Sequence, residues 1–120
     1  MKFSNTHEWV EDQNGTAIVG ITNFGRMHLG DIINIKLPNK GTKVKANEEV
    51  AVIESNKAAV DAHSPISGDI IDVNEELNKN IDLINTSPEE KGWLFKVKMN
   101  NLEELNSLMS LEEYEKKVSK

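Results

Sequence analysis

Cysteine is absent from the 120-residue chain. That removes disulfides, thiol nucleophiles and every cysteine-ligated zinc or iron–sulfur centre. Long apolar runs are missing too: nothing approaches the ~18 consecutive apolar residues of a membrane helix. Positive charge is in deficit, since 14 Lys and Arg stand against 20 Asp and Glu, a net charge of −6. This gives no electrostatic basis for binding nucleic acid or an anionic membrane. The first eight residues have no apolar stretch and no Arg-rich pattern, so no targeting segment is expected. The enzyme signatures are also lacking: there is no Gly-x-Ser-x-Gly elbow, no Walker loop and no Gly-x-Gly-x-x-Gly turn. His7, His28 and His63 fall on different predicted elements and show no metal-ligand spacing. No catalytic residue and no metal site is therefore assigned. With 38% hydrophobic and 28% charged residues, the composition is that of an ordinary globule. The expectation is one soluble, acidic, cytoplasmic domain over residues 1–120 whose chemistry is borrowed.

What is present reads mostly as short strands. Thr16-Ala17-Ile18-Val19-Gly20-Ile21 is β-branched and follows the turn signal Asn14-Gly15, so with Glu8-Trp9-Val10-Glu11 it predicts a hairpin. Thr22 or Asn23 can cap, and Gly30 can end, a short helix near residues 23–29. Strand character resumes at Asp31-Ile32-Ile33-Asn34-Ile35-Lys36-Leu37 and stops at the turn Pro38-Asn39-Lys40-Gly41. Val50-Ala51-Val52-Ile53-Glu54 is a continuous apolar run, the pattern of a strand covered on both faces. Gly68-Asp69-Ile70-Ile71-Asp72-Val73 repeats Gly30-Asp31-Ile32-Ile33-Asn34-Ile35 almost letter for letter. Six positions fit either chance similarity or approximate two-fold internal symmetry. A strand over residues 93–98 follows the turn at 88–92. The period then changes: Leu102, Leu105, Leu108 and Met109 share a helical face, and Ser110-Leu111-Glu112-Glu113 has capping-box form. A C-terminal helical segment over about 101–118 is predicted, kinked or restarted at Ser110.

One segment bears on chemistry. Ser55-Asn56-Lys57-Ala58 stands at a predicted hairpin tip between Glu54 and Ala59-Val60-Asp61. A tip exposes the ε-amine, and small neighbours leave room for another protein to grip the turn. Spacing alone fits a modified lysine and an ordinary solvated turn lysine alike.

Glu54-Ser55-Asn56-Lys57-Ala58-Ala59-Val60-Asp61 resembles the lipoylation site of the glycine cleavage system H proteins, usually Glu-Ser-Val-Lys-Ala-x-x-Asp. The likeness extends along nearly the whole chain. His7-Glu8-Trp9, Gly20-Ile21-Thr22-Asn23, Leu29-Gly30-Asp31, Leu37-Pro38 with Gly41, Ser64-Pro65-Ile66-Ser67-Gly68, Val73-Asn74, Leu83-Ile84-Asn85 and Gly92-Trp93-Leu94 resemble family motifs in the same order. Departures are Asn56 for the usual valine, Asn23 for aspartate, and Asn34-Ile35-Lys36 before Leu-Pro.

The resemblance implies a mainly β, lipoyl-domain-like sandwich or hybrid barrel with quasi-two-fold symmetry. It implies lipoate joined covalently to Lys57, and a carrier rather than an enzyme. The aminomethyl group of glycine would pass on this arm from the decarboxylase (P protein) to the aminomethyltransferase (T protein). Dihydrolipoamide dehydrogenase (L protein) would then reoxidise the arm. Thr6, Glu8, His28 and Asp61 would line a cleft in which the arm rests. Glu54 and Gly41 would be read by a lipoate ligase or lipoyl/octanoyl transferase, and the chain would be a monomer. A biotin carrier shares the hairpin lysine but flanks it with methionine, where this chain has Asn56 and Ala58. A lipoyl carrier that relays lipoate to 2-oxoacid dehydrogenases, or serves a redox response, would use Lys57 in the same way.

Overall fold

The computed structural model describes residues 1–119. Among the described residues, nine strands form two antiparallel sheets. The larger holds β1 (Lys2–Phe3), β2 (Glu8–Gln13), β3 (Thr16–Ile21), β5 (Lys43–Val44), β8 (Gly68–Val73) and β9 (Phe95–Met99), in the order β1-β2-β3-β9-β8-β5. The smaller holds β4 (Ile32–Lys36), β6 (Glu48–Ser55) and β7 (Ala59–Ser64), in the order β4-β6-β7. The molecule is flattened, 37 × 36 × 21 Å. A mainly β sandwich with a short helix near residue 23 and a helical C-terminus is the expected architecture. β1 and the two-residue β5 carried no sequence signal.

The core lies between the sheets, where Val19, Ile53, Ile66, Ile70, Leu94 and Phe95 are buried. β6 departs from expectation. Its burial alternates strictly from Val50 to Ser55, so the apolar run is covered on one face only. Val50 and Val52 are valines on a half-exposed outer face, and the sequence cannot distinguish that arrangement from two-sided cover.

The Gly-Asp-Ile-Ile repeat has a structural counterpart. Ile32 and Ile70 are buried, while Ile33 and Ile71 are 59% and 45% exposed. Both strands bulge at the second isoleucine: the register slips between Ile32 and Asn34 and between Ile70 and Asp72. An extra residue at a bulge turns a side chain outward, which explains two exposed isoleucines at matching positions.

Trp9 ties the first hairpin to the rest. It is buried, its Nε1 donates to the Pro88 carbonyl at 2.9 Å, and it lies opposite Gly20 in the β2–β3 register. A Cβ on Gly20 would stand 2.7 Å from the indole ring. The ring cannot slide away without losing its hydrogen bond. Gly20→Ala is therefore expected to cost about 1–3 kcal/mol through overpacking, read as a lower urea midpoint at unchanged slope. An unchanged midpoint would show that the indole is not locked.

Helix α1 (Asn23–Leu29) is capped by Thr22, whose Oγ1 accepts from the Gly25 N–H at 3.0 Å. Two helices that the sequence did not announce, α2 (Glu76–Lys79) and α3 (Asp82–Thr86), insert buried Leu77 and Ile84 into the core. The C-terminal segment is not one helix. Leu102–Ser107 forms a 3-10 turn series, and α4 (Leu111–Val118) restarts at Ser110 with its capping box made. α4 sits on Phe3 and Trp9 through Tyr114, which stacks on Phe3 at 4.8 Å.

A lysine tip and the cleft beside it

Lys57 occupies a two-residue loop between β6 and β7, because Glu54 pairs with Ala59 and the Ser55 N–H bonds the Ala58 carbonyl at 2.8 Å. Two-residue hairpins usually close with residues of positive φ. Asn56 and Lys57 are not among the residues with positive φ, and the Ser55 hydroxyl supplies the fastening instead. Its Oγ accepts from the Lys57 and Ala58 N–H groups at 3.1 and 3.2 Å. The Asn56 N–H bonds the Asp31 carbonyl at 3.0 Å, which holds the tip against the end of α1. Lys57 itself is exposed.

Gly30 lies directly under the lysine. Its φ is +83°, and a Cβ there would meet Asn56 Oδ1 at 2.9 Å and Lys57 Cε at 3.2 Å. Both the backbone and the space favour glycine. The segment is held from the far side by Asn85, whose Oδ1 accepts from the Ile32 N–H and whose Nδ2 donates to the Ile32 carbonyl, at 2.9 and 3.0 Å.

One turn back along α1 the surface opens into a cleft of about 240 Å³. Thr6 and Glu8 from β2 and its approach, His28 from α1 and Asp61 from β7 all border it. Ile21, Phe24, Leu29, Ile53 and Val60 give it an apolar wall. His28 is exposed, with its Nδ1 3.2 Å from the Phe24 carbonyl and its ring 4.1 Å from that of Phe24. A separate hollow of about 300 Å³ between Phe3, Pro65 and Met109 shares only Thr6 with this set.

Glu8 is 1% exposed, although a strand acid at a sheet end is ordinarily solvated. Its carboxylate accepts from four donors at most. Oε1 takes the hydroxyls of Ser4, at 2.6 Å, and Thr6. Oε2 takes the backbone N–H of His63 at 3.0 Å, with His63 Nδ1 3.4 Å away. The His63 N–H belongs to the outer edge of β7, so Glu8 bridges the two sheets at the cleft. Such saturation is what a buried carboxylate requires.

Sequence reasoning left out His7, which also borders the cleft. Its φ is +70°, its ring lies 5.0 Å from that of Phe24, and its Nδ1 is 2.7 Å from the Tyr114 hydroxyl. The three histidines thus gather around one feature, His7 and His28 in the wall and His63 behind Glu8. The packing of β2 against β7 and of α1 over the cleft brings them together, and no spacing rule could reveal it.

The two residues expected to guide a modifying enzyme are not brought together. Glu54 faces Asn34 across β4–β6 and accepts from its Nδ2 at 2.7 Å, three residues before Lys57. Gly41 belongs to the other sheet's edge, with its N–H on the Ile70 carbonyl at 2.7 Å and φ +88°. That geometry accounts for the glycine without any partner.

The glycine cleavage H-protein family profile matches residues 1–120. The chain is 43% identical over 116 residues to the glycine cleavage system H protein of Carboxydothermus hydrogenoformans, covering 97% of this chain and 89% of that one. It is 46% identical over 114 residues to the H protein of Thermotoga maritima, covering 95% and 92%. A mitochondrial H protein of Flaveria pringlei is 44% identical over 116 residues, 97% of this chain and 72% of that one. The crystal structure of an H protein from Mycobacterium marinum superimposes with a TM-score of 0.90 at 30% identity, covering 99% of this chain and 96% of that chain. The relay of lipoate to other dehydrogenases gains no support from these matches. A full-length profile match, close relatives and a shared fold around an exposed hairpin lysine agree: the chain belongs to the glycine cleavage H-protein family, the non-catalytic lipoyl carriers that serve the P, T and L proteins of the glycine cleavage system.

Proposed function

We propose that Lys57 is the residue that carries the lipoyl group, and that the cleft of Thr6, Glu8, His28 and Asp61 is where the arm rests. The observation that carries this reading is the continuity of tip and cleft. The Lys57 stem lies over Gly30, and the preceding residues of α1, Leu29 and His28, are already cleft wall. The site suits the group: an exposed amine on a tied hairpin, beside an apolar slot bordered by Asp61 and by the buried Glu8 carboxylate. At about 240 Å³ the slot is smaller than the ~300–1,000 Å³ of a small-molecule pocket, which fits the end of an arm rather than all of it. Bound as an amide, lipoate supplies a disulfide that takes up the aminomethyl fragment of glycine and is later regenerated. The chain's own contribution is to present the amine, guide the arm along α1, and offer Glu8 and Asp61 to a cationic cargo while the apolar wall excludes water.

Residues 1–120 act as one monomeric carrier domain in this reading. Its placement is cytoplasmic in the same reading, whereas the Flaveria relative is named as mitochondrial. Glu54 guides the lipoate ligase, held upright by Asn34, and Gly41 serves its own turn. Lipoate ligase with ATP and lipoate should add one lipoyl mass, found on the peptide that contains Lys57. Glu54→Ala should slow that addition severalfold without loss of fold, because truncating a half-exposed acid costs little stability. A rate equal to the parent's would leave Glu54 an incidental neighbour, and a lipoyl group on another peptide would refute the Lys57 assignment.

A further inference from the structure

Tyr114 reaches from the C-terminal helix toward the cleft. Its hydroxyl is 2.7 Å from His7 Nδ1 and 2.8 Å from Thr22 Oγ1, and Thr22 Oγ1 already accepts from the Gly25 N–H. Proton counting fixes the direction of this chain. Thr22 is 1% exposed and, among the described residues, its hydroxyl proton has Tyr114 as its one acceptor, so Thr22 donates to Tyr114, and the buried Tyr114 hydroxyl, left with His7 as its remaining partner, donates to His7 Nδ1. An imidazole that accepts at Nδ1 is neutral and carries its proton on Nε2. Burial and the Glu89 and Glu8 charges keep the Tyr114 hydroxyl protonated well past neutrality, so it remains a donor.

We propose that His7 is a specificity residue of the cleft, held in its uncharged form by the Tyr114 hydroxyl of α4 so that the cleft admits a cationic arm. This rests on the arm-docking reading given above. A charge on His7 would place a cation in the wall from which Glu8 and Asp61 are to receive another. Burial lowers the readiness of His7 to protonate below the ordinary value of 6.5. The groups that face it are of both signs. Glu8, the next residue, favours the proton, while Lys117 on α4 and His28 on α1 disfavour it. Asp61 on β7 borders the same cleft. Lys117 is itself held nearby by Asn5, so the C-terminal helix sets the state of His7 by contact and by charge. The direction of the effect follows from linkage. A cation docked in the cleft disfavours protonation of His7, and protonation of His7 disfavours the cation by the same factor.

The test uses the full-length lipoylated protein. Its reduced arm is alkylated with 2-bromoethylamine, to give a stable cationic probe, or with 2-iodoethanol, to give a neutral one. Nitrogen-detected NMR follows the tautomer and titration of each histidine, and the methyl signals of Val60 and Ala62 report docking. His7 should be the Nε2–H tautomer at pH 8 and titrate below 6.5. Tyr114→Phe, which keeps the stack on Phe3, should raise that midpoint. The cationic arm should lower it further and the neutral arm should not. Docking of the cationic arm should fall about tenfold between pH 7.5 and 5.5, the factor that corresponds to ~1.4 kcal/mol, and His7→Asn should hold that fall to about twofold. Asparagine is chosen because it tolerates positive φ. A fall that persists in His7→Asn, or a His7 midpoint indifferent to Tyr114→Phe, overturns the inference. Absence of docking for both probes at every pH overturns the cleft reading itself, a result separable from the first two.

Discussion

Lys57→Arg should abolish lipoylation and all carrier activity while leaving the fold unchanged. Amide formation needs an amine that can lose its proton and attack an activated acyl group, and a guanidinium, which stays protonated at all accessible pH, cannot. The substitution keeps the positive charge and most of the reach, so the loss cannot be assigned to electrostatics or to the hairpin's shape. Lys57 is exposed, and the turn is held by the Ser55 hydroxyl and by backbone groups. Stability should therefore stay within about 0.5 kcal/mol of the parent. Intact mass after ligase treatment and a urea titration check the two halves. Addition of a lipoyl group to the variant, on any lysine, would end the assignment.

Glu8 should give two different phenotypes according to the replacement. Glu8→Ala strips the acceptor from the Ser4 hydroxyl and the His63 N–H, both in buried or half-buried positions. Leaving such donors unpaired, with a small void, should cost about 2–4 kcal/mol. That is a large share of the ~5–15 kcal/mol that holds a typical domain together. Glu8→Gln is the discriminating variant. Its amide oxygen can keep the His63 N–H, and its NH₂ can face the Ser4 and Thr6 hydroxyls, which rotate to accept. Shape and most of the stability are retained and only the charge is gone. A charge-assisted contact is worth about 1.5–3 kcal/mol, so a cationic arm should dock roughly tenfold to a hundredfold less in Glu8→Gln. The oxidised, uncharged arm should dock as in the parent. Equal docking of the cationic arm in both proteins would remove Glu8 from the site.

Much of this arrangement was legible in the residues, for identifiable reasons. α1 was bounded correctly because Thr22 and Gly30 are capping types, and the lysine hairpin stood between two strand-like runs. The helices at Glu76–Lys79 and Asp82–Thr86 escaped because four or five residues hold no full helical period; what they contribute is a single buried side chain each. The four residues around the cleft came from family resemblance and not from spacing, since nothing local links Thr6 to His28 or Asp61. Burial of Glu8 was likewise invisible. Its donors arrive from Ser4, four positions back, and from the backbone of His63, 55 positions on. The role argued for His7 depends on a residue 107 positions away.

The side chains that close the lysine-bearing sheet have a colloidal consequence. A three-stranded sheet has two open edges, and an open edge is a template on which another chain can add a strand. Here each edge strand has one residue whose backbone is taken by a side chain from elsewhere in the fold. Asn85 takes both the N–H and the carbonyl of Ile32 on β4, beside the bulge at Ile33. Glu8 takes the N–H of His63 on β7. Strand addition by another copy would have to displace these contacts first, which disfavours growth of the sheet around the exposed hairpin. Loss of the Glu8 carboxylate is therefore expected to free the N–H of His63, near the end of β7 that lies away from the lysine.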